Sequence, residues 1–569
     1  MTVLFACLVA VATLVLATPA QGRPGDVDST FGTGGEALIR LSGRGAAFGQ
    51  MSTQPDGAIL ATAFAPASDP EASSRPVLLR IRAGGLLDRS FGEGGAVRLP
   101  MTLTTEPVVQ RDGKIVVAGS LRSKGVDQLT IVRLEADGDR DKGFGNNGLV
   151  TPAAGAGLRP HSAIVQQDRK LVAAGGVVNE SKRRVDNFTL VRLRGDGSTD
   201  LTFGDDGRVT TPTGEDDGLA SSIIEQDGGW LVVGGESSRD VKTQSGNVPH
   251  TTWLLRRYRS DGKLDASFGS NGAARFEVED STLSFLAGLS ETEDGRIVAA
   301  GDVWFELGIF FTAHIGLARF GQNGDVDRGF GPSGAVLTQV PAEQTGNRAP
   351  SQGVDLAIQR DGRIVVAGRY LGGSEPFSSG WAIVRYRADG SLDPGFGRGG
   401  FVTSVRGQSQ AAQSVVVQPG ERLVVGGTST DCGRPLVTLV RYFSDAGTDG
   451  GPTMRACATT VPLGPDDELP LSVQCPFVED ECKGTVTVEI PPSELTSSAR
   501  SAKRPVEVGA RRFSLASGAM GKPSVTAHGR GLDLLRKQRV KRAVLVFVAR
   551  DGEGHRRVTR RSIKVRSTR

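Results

Sequence analysis

DGSLDPGFGRGG, residues 389–400, is the stretch whose reading decides the fold. In isolation it offers two kinds of chemistry. Its glycines at 395, 397 and 399 suit a phosphate cradle, and Asp389 and Asp393 suit a calcium loop. Six relatives elsewhere in the chain argue for a third role. They are DVDSTFGTGG (26–35), GLLDRSFGEGG (85–95), GDRDKGFGNNG (138–148), GSTDLTFGDDG (197–207), GKLDASFGSNG (262–272) and GDVDRGFGPSG (324–334). Their phenylalanines, Phe31, Phe91, Phe144, Phe203, Phe268, Phe330 and Phe396, follow one another at gaps of 60, 53, 59, 65, 62 and 66 residues. A repeat near sixty residues comes before any local reading.

Two more elements recur in phase. An apolar run follows a turn in QPDGAILATA (54–63), QRDGKIVVAG (110–119), QQDRKLVAAG (166–175), EQDGGWLVVG (225–234), TEDGRIVAAG (292–301), QRDGRIVVAG (359–368) and QPGERLVVGG (418–427). Asp-Gly before such a run marks a hairpin, because both residues tolerate positive φ. The third and seventh units carry Asp168-Arg169 and Gly420-Glu421 there, so their turns are expected to differ. A second run ends in an arginine: Arg80, Arg133, Arg192, Arg257, Arg319, Arg385 and Arg441. An aspartate stands eight residues after each, at 88, 141, 200, 265, 327, 393 and 449, and Asp28 begins the series before any such arginine.

Each unit therefore holds about four short strands with no helical period between them. One sheet of that size cannot bury both faces, whereas neighbouring units cover each other. Seven such units predict an all-β, seven-bladed β-propeller rather than an open solenoid. The three motifs, in this order and period, resemble the delta-60 repeat family of exported bacterial proteins over residues 25–446. That resemblance implies the propeller fold and no reaction.

The phenylalanines are read as plugs between sheets, each worth roughly 1.5–3 kcal/mol on burial. The glycine after each gives the chain its turn into the next sheet. The arginine and the aspartate eight residues later are expected to pair. Calcium is a weaker candidate, best at Asp137, Asp139 and Asp141, whose D-x-D-x-D spacing lacks the flanking acceptors of a full loop. The phosphate reading lacks both the Lys-Ser/Thr of a Walker loop and a following helix. Five dispersed histidines, with no H-E-x-x-H and no G-x-S-x-G, leave no catalytic motif. No cofactor is expected.

The units differ between the glycine that ends the apolar run and the arginine: 14 residues from Gly119 to Arg133, but 23 from Gly234 to Arg257. One face thus carries unequal loops, where function sits on a rigid scaffold. In the fifth, Trp304, Phe305, Phe310 and Phe311 form either a ligand platform or a hairpin covering its own apolar side.

Residues 1–22 read as a secretory signal, its apolar core of about 15 residues being short for a membrane span. Export leaves Cys432, Cys457, Cys475 and Cys482 for two disulfides. Of the three pairings, Cys475 with Cys482 and Cys432 with Cys457 is preferred; a zinc site has no nearby histidine and no C-x-x-C. After a linker (447–469), alternating runs over 470–569 predict a small antiparallel β-sandwich. Arg500 to Arg569 hold 20 basic against 4 acidic residues, so a +16 tail follows a −12 body in a chain of net charge +4. Few aromatics among those charges argue against specific nucleic-acid recognition. The sequence therefore predicts an extracellular, monomeric binding or scaffold protein. Its partners would be cell-wall or extracellular polysaccharide or protein. The alternative is a propeller hydrolase or lyase acting on glycans.

Overall fold

The computed structural model describes residues 21–567 apart from 42–44, 65–74, 124, 180–183, 186, 215–216, 244–245, 308–309, 342–347, 372–378, 405–410, 432–433, 445–446, 449–454, 458–459, 465, 476–480, 495–504, 517–519, 537–541 and 551–555. The apolar run 1–20, Cys432, Asp449 and the side chain of Phe310 lie outside the described residues.

The repeat folds into antiparallel sheets, all but one built from strands consecutive in the chain. The fourth is representative: Asp217–Gln226, Trp230–Thr243, Gly246–Tyr258 and Ala273–Phe276 lie side by side in that order. Seven such sheets occur among the described residues, numbered 1 to 7 here from the strand Ala47–Thr53 onward. The first strand of most sheets packs on the first strand of the next, and that of sheet 7 on that of sheet 1. Seven separate apolar clusters fill the junctions, from Leu60 and Leu78 against Ile115 and Val117 to Ile59 and Leu79 against Val424 and Leu439. An open row of seven sheets has six junctions, so the seventh cluster closes a ring. This is a β-propeller.

Closure is made by the N-terminal segment. Sheet 7 takes three strands from its own unit, and its outermost strand is Glu36–Ile39, paired with Arg434–Tyr442. The two odd turns also resolve. Arg169 (φ 70°) and Glu421 (φ 63°) hold the left-handed conformation that Gly57, Gly113, Gly295 and Gly362 hold in other units.

The innermost strands share an irregularity that the sequence reading missed. Pairing with the second strand slips between Pro160 and Ser162, Ala220 and Ser222, Leu286 and Gly288, Gly353 and Asp355, and Ala412 and Ser414. Each is a β-bulge. Opposite each lies the last glycine of the apolar run. A Cβ on Gly368 would stand 1.8 Å from the carbonyl oxygen of Gln352, and one on Gly235 1.9 Å from that of Leu219. The glycine admits the neighbouring backbone.

The C-terminal region departs from expectation in three respects. The stretch expected as linker supplies Thr460–Leu463 and Glu468–Pro470 to its sheets. Thr460–Leu463 runs parallel to Arg556–Ser567, at the edge of a five-stranded sheet that is otherwise antiparallel. A helix, Gly529–Arg536, buries Leu534 and Leu535, which strand alternation did not reveal. Its own core includes Val486, Leu545, Phe547 and the cysteines 475 and 482. Cys475 and Cys482 form a disulfide, as preferred. Cys457 is also disulfide-bonded. Among the described residues no helix is long and apolar enough to cross a membrane.

Candidate functional site

The repeated residues come together at the sheet junctions, and they build rather than bind. All seven phenylalanines are fully buried. Arg385 Nε lies 2.8 Å from Asp393 Oδ2, its guanidinium stacks 4.4 Å from the centre of Phe396, and its Nη1 donates to the carbonyl of Ser444 at 2.7 Å. Arg80, Arg133, Arg192, Arg257 and Arg319 repeat the pattern on Asp88, Asp141, Asp200, Asp265 and Asp327, each reaching a carbonyl of the following unit. Each arginine thus ties its own loop, its own phenylalanine and the next sheet. Arg441 corrects the spacing rule. Its partner is Asp28, 2.9 Å away and 413 residues earlier, and its Nη1 reaches the carbonyl of Ala83. Asp28 begins the series because it completes the last unit.

The glycine after each phenylalanine does the same with its backbone. Gly397 (φ 54°) donates its N–H to the carbonyl of Pro24 at 2.7 Å, and Gly32 (φ 54°) to that of Gly84. The calcium candidate dissolves into this scaffold. Asp137 Oδ1 accepts the N–H of Asp139, and Asp141 is taken by Arg133 and Lys114. Among the described residues no group of three metal-ligating side chains stands together.

The unequal hairpins all rise at one end of the ring. The hairpin of Trp304 is a continuous ladder, Ile297–Leu307 against Phe310–Phe320. Its aromatic residues do not form one platform, because successive strand residues face opposite sides. Phe305 packs on the core and edge-on to His314 at 5.1 Å, Trp304 donates its indole N–H to Asp302 at 3.1 Å, and Phe311 is 54% exposed. Leu121, Val126 and Val241 on the neighbouring hairpins are also exposed.

At the foot of these hairpins, just beyond the bulges, lies a constellation with no motif of its own. The rung Phe285–Asp302 belongs to sheet 5, Leu219–Glu236 to sheet 4 and Gln352–Arg369 to sheet 6. Phe285 is 42% exposed although its strand is innermost, and Leu103 on the matching rung of sheet 2 is 46% exposed. With neighbouring sheets on either side, that exposure is toward the axis. Asp302 is buried; its Oδ2 also accepts Gln352 Nε2 at 2.7 Å, while Oδ1 makes no well-formed hydrogen bond. Gln352 Oε1 accepts Arg369 Nε. Glu236 Oε2 accepts the hydroxyl of Ser221 at 2.9 Å. Burial, reinforced by Asp302, pushes the Glu236 carboxyl up to about 7, and burial also raises Asp302.

A second pair comes from sheets 6 and 2. Asp355, on the bulge of sheet 6, accepts Val415 N–H and Ser414 Oγ–H of sheet 7, both at 2.8 Å, and burial lifts it to about 6. Glu106, at the break in the first strand of sheet 2, is reached by solvent; the surrounding protein and then Asp355 push it up to about 8. The signal that could have found these groups is positional: one residue past the bulge glycine stand Ser120, Glu236, Asp302, Arg369 and Thr428.

No curated protein matches the chain. Among solved structures, the β-propeller domain of the Trilobed protease from Pyrococcus furiosus is 11% identical, covering 71% of this chain and 98% of that one at a TM-score of 0.38. Drosophila Semaphorin 2a is 9% identical over 96% and 99%, at 0.39. The α-L-arabinofuranosidase Arb93A from Fusarium graminearum is 9% identical over 74% and 96%, at 0.34. A family described as a β-propeller domain of unknown function, DUF5122, matches residues 110–144, 226–268 and 359–396. Each matched segment starts at the glutamine before the turn and ends on the phenylalanine plug, in the second, fourth and sixth units. With the closed ring of sheets, the family match over these three segments supports reading the chain as a β-propeller repeat protein.

Proposed function

We propose that this chain is a secreted, non-enzymatic binding protein. Its seven-bladed propeller presents a ligand surface at the long-hairpin end, and its basic C-terminal sandwich associates with anionic envelope material. The observation that carries the reading is that six of the nine exposed large apolar side chains described on the propeller stand at that end, Leu103 and Phe285 at the axis and Leu121, Val126, Val241 and Phe311 on the hairpins, the others being Leu86, Leu201 and Leu337. Exposed apolar groups gathered on one face of a rigid scaffold mark a surface built to be covered. Extracellular polysaccharide or protein fits it, with Phe285 as the stacking group and Arg369, Asp302 and Gln352 as the polar contacts. The test is a panel of purified polysaccharides and envelope proteins, read by calorimetry with the wild type and with Phe285→Ser. Binding that survives Phe285→Ser unchanged refutes the axial surface.

A second reading is favoured by one observation. Glu236 and Asp302 are neighbouring carboxyl groups with raised proton affinity, which is the make-up of an acid–base pair for glycan hydrolysis or elimination. Release of new reducing ends by the wild type, abolished in Glu236→Gln, decides for it. Binding without turnover decides for the first.

A further inference from the structure

The five-stranded sheet of the C-terminal region buries Phe547, Leu545, Val486 and Ile563 on one side, and alternation turns the intervening residues to the other. On that outer side the charges stand in rungs. Arg550 lies directly opposite Lys483 on one neighbouring strand and opposite Arg556 on the other. Eight residues along, Arg542 lies opposite Lys564. Arg560 sits between the two rungs, opposite Val546. Arg542, Arg550, Arg560 and Lys564 are exposed and make no ion pair among the described residues.

Directly opposed residues have Cβ atoms about 4.5–5.5 Å apart, and like charges in that position destabilise a sheet. Here the arrangement occurs at both ends of one strand, and among the described side chains the acids on the outer side are Glu489 and Glu507. A solvated charged face has no need to align its cations, whereas a face that meets closely spaced anions does. The span from Arg542 to Arg550 is about 26 Å at roughly 3.3 Å per residue. Arginine predominates, and its planar fork suits a phosphate oxygen pair. Between the rungs stand Val544, Val546, Val548, Thr485 and Thr487, with no aromatic residue on which a base could stack.

We propose that this sheet face binds a linear phosphodiester polymer without bases, laid along the strand Arg542–Arg550. Lys483 and Arg550 grip one end, Arg542 and Lys564 the other, and Arg560 contacts the middle. The proposal rests on the envelope-binding reading of this region and names its site and ligand class.

The test uses the full chain and a synthetic glycerol-phosphate decamer, titrated from 50 to 250 mM salt beside polygalacturonate and a dT decamer of matched charge. With about five phosphates neutralised, log Kd against log salt should have a slope of about 3–4. Arg550→Glu with Lys564→Glu should weaken binding at least tenfold and flatten the slope, while Arg328→Glu on the propeller leaves both unchanged. Glycerol phosphate bound with those two effects supports the proposal. Binding undiminished in the double variant overturns the site but leaves the envelope reading standing. Equal affinity for polygalacturonate overturns the phosphate assignment, and equal or tighter binding of the dT decamer makes it a nucleic-acid surface. No binding of any polymer overturns the envelope reading itself.

Discussion

Arg385→Ala is the sharpest probe of what holds the ring together. Arg385 is 1% exposed, and three groups depend on its guanidinium: Asp393 at 2.8 Å, the carbonyl of Ser444 at 2.7 Å and the Phe396 ring at 4.4 Å. Truncation leaves the mostly buried Asp393 with the Gly395 N–H at 3.1 Å and, as its charged neighbour, Arg363, which stands 3.8 Å away and is already engaged by Asp361 at 2.5 Å. Removing one member of a buried ion pair costs about 3–5 kcal/mol, most of it from the stranded charge. Arg80→Ala removes the same motif from a wetter junction. Arg80 is 16% exposed, and Asp88 keeps Arg82 at 2.9 Å and the Ser90 hydroxyl at 2.8 Å. Its loss should be only about 1–2 kcal/mol. Guanidinium unfolding followed by tryptophan fluorescence measures both, with Trp381 on the same strand as Arg385. Pairing Arg385→Met with Asp393→Asn should recover at least half of the larger loss, because no charge is then left buried. A loss below about 1 kcal/mol for Arg385→Ala, or equal losses at the two junctions, refutes the reasoning.

Three further outcomes follow from the geometry. Stability should peak at pH ~4. Asp141, which burial alone would raise, is held at about 2 by Lys114, the Gly143 N–H and Arg133, so its contribution is lost as pH falls from its unfolded value of 3.8 toward 2. Asp355 and Glu236, lifted to about 6 and about 7, keep their protons when folded and release them when unfolded, so stability falls as pH rises from about 4 to 7. Thermal melts should show both limbs, and Asp355→Asn with Glu236→Gln should flatten the alkaline one; an unchanged limb contradicts the assignment. Gly368→Ala should destabilise by about 3 kcal/mol or more, its Cβ being driven into the Gln352 carbonyl, whereas Gly399→Ala (φ 68°, open space) should cost about 1–2 kcal/mol. Comparable melting temperatures for the two would contradict the bulge account. Deleting residues 25–40 removes Asp28, Phe31 and the outer strand of sheet 7, and should expose the Arg434–Tyr442 edge and raise dye binding or aggregation. A deletion variant that melts like the full chain contradicts closure by this segment.

The scaffold was legible because seven copies repeat one packing problem. Phe396, Arg385 and Asp393 had to be read as a junction, since no ligand needs seven equal contacts. The closing strand was legible only as an oddity, an Asp28 without its arginine, because sequence spacing carries no information about a partner 413 residues away. Of the axial carboxyl groups, Glu236 and Asp302 left only a positional trace, one residue past the bulge glycine, and Asp355 left none. Glu236, Asp302 and Asp355 come from three sheets and sit at or just beyond β-bulges, whose register slips shift side chains without changing composition. The aromatic run at 302–314 left a platform and a self-covering hairpin both open, since adjacency along a strand separates side chains onto opposite faces and only the register says which of them meet.

The N-terminal strand also governs how the molecule comes into being. Its partner strand, Arg434–Tyr442, leaves the ribosome some four hundred residues later, so the ring has no complete form until nearly all of it has been made. Relative to closing a four-residue hairpin, joining ends 413 residues apart costs about 4 kcal/mol more in chain entropy. That penalty falls on a single late step, while the other six junctions form between neighbours. Until then both edges of the array stay unpaired, and the molecule locks only when the two ends of the chain have met.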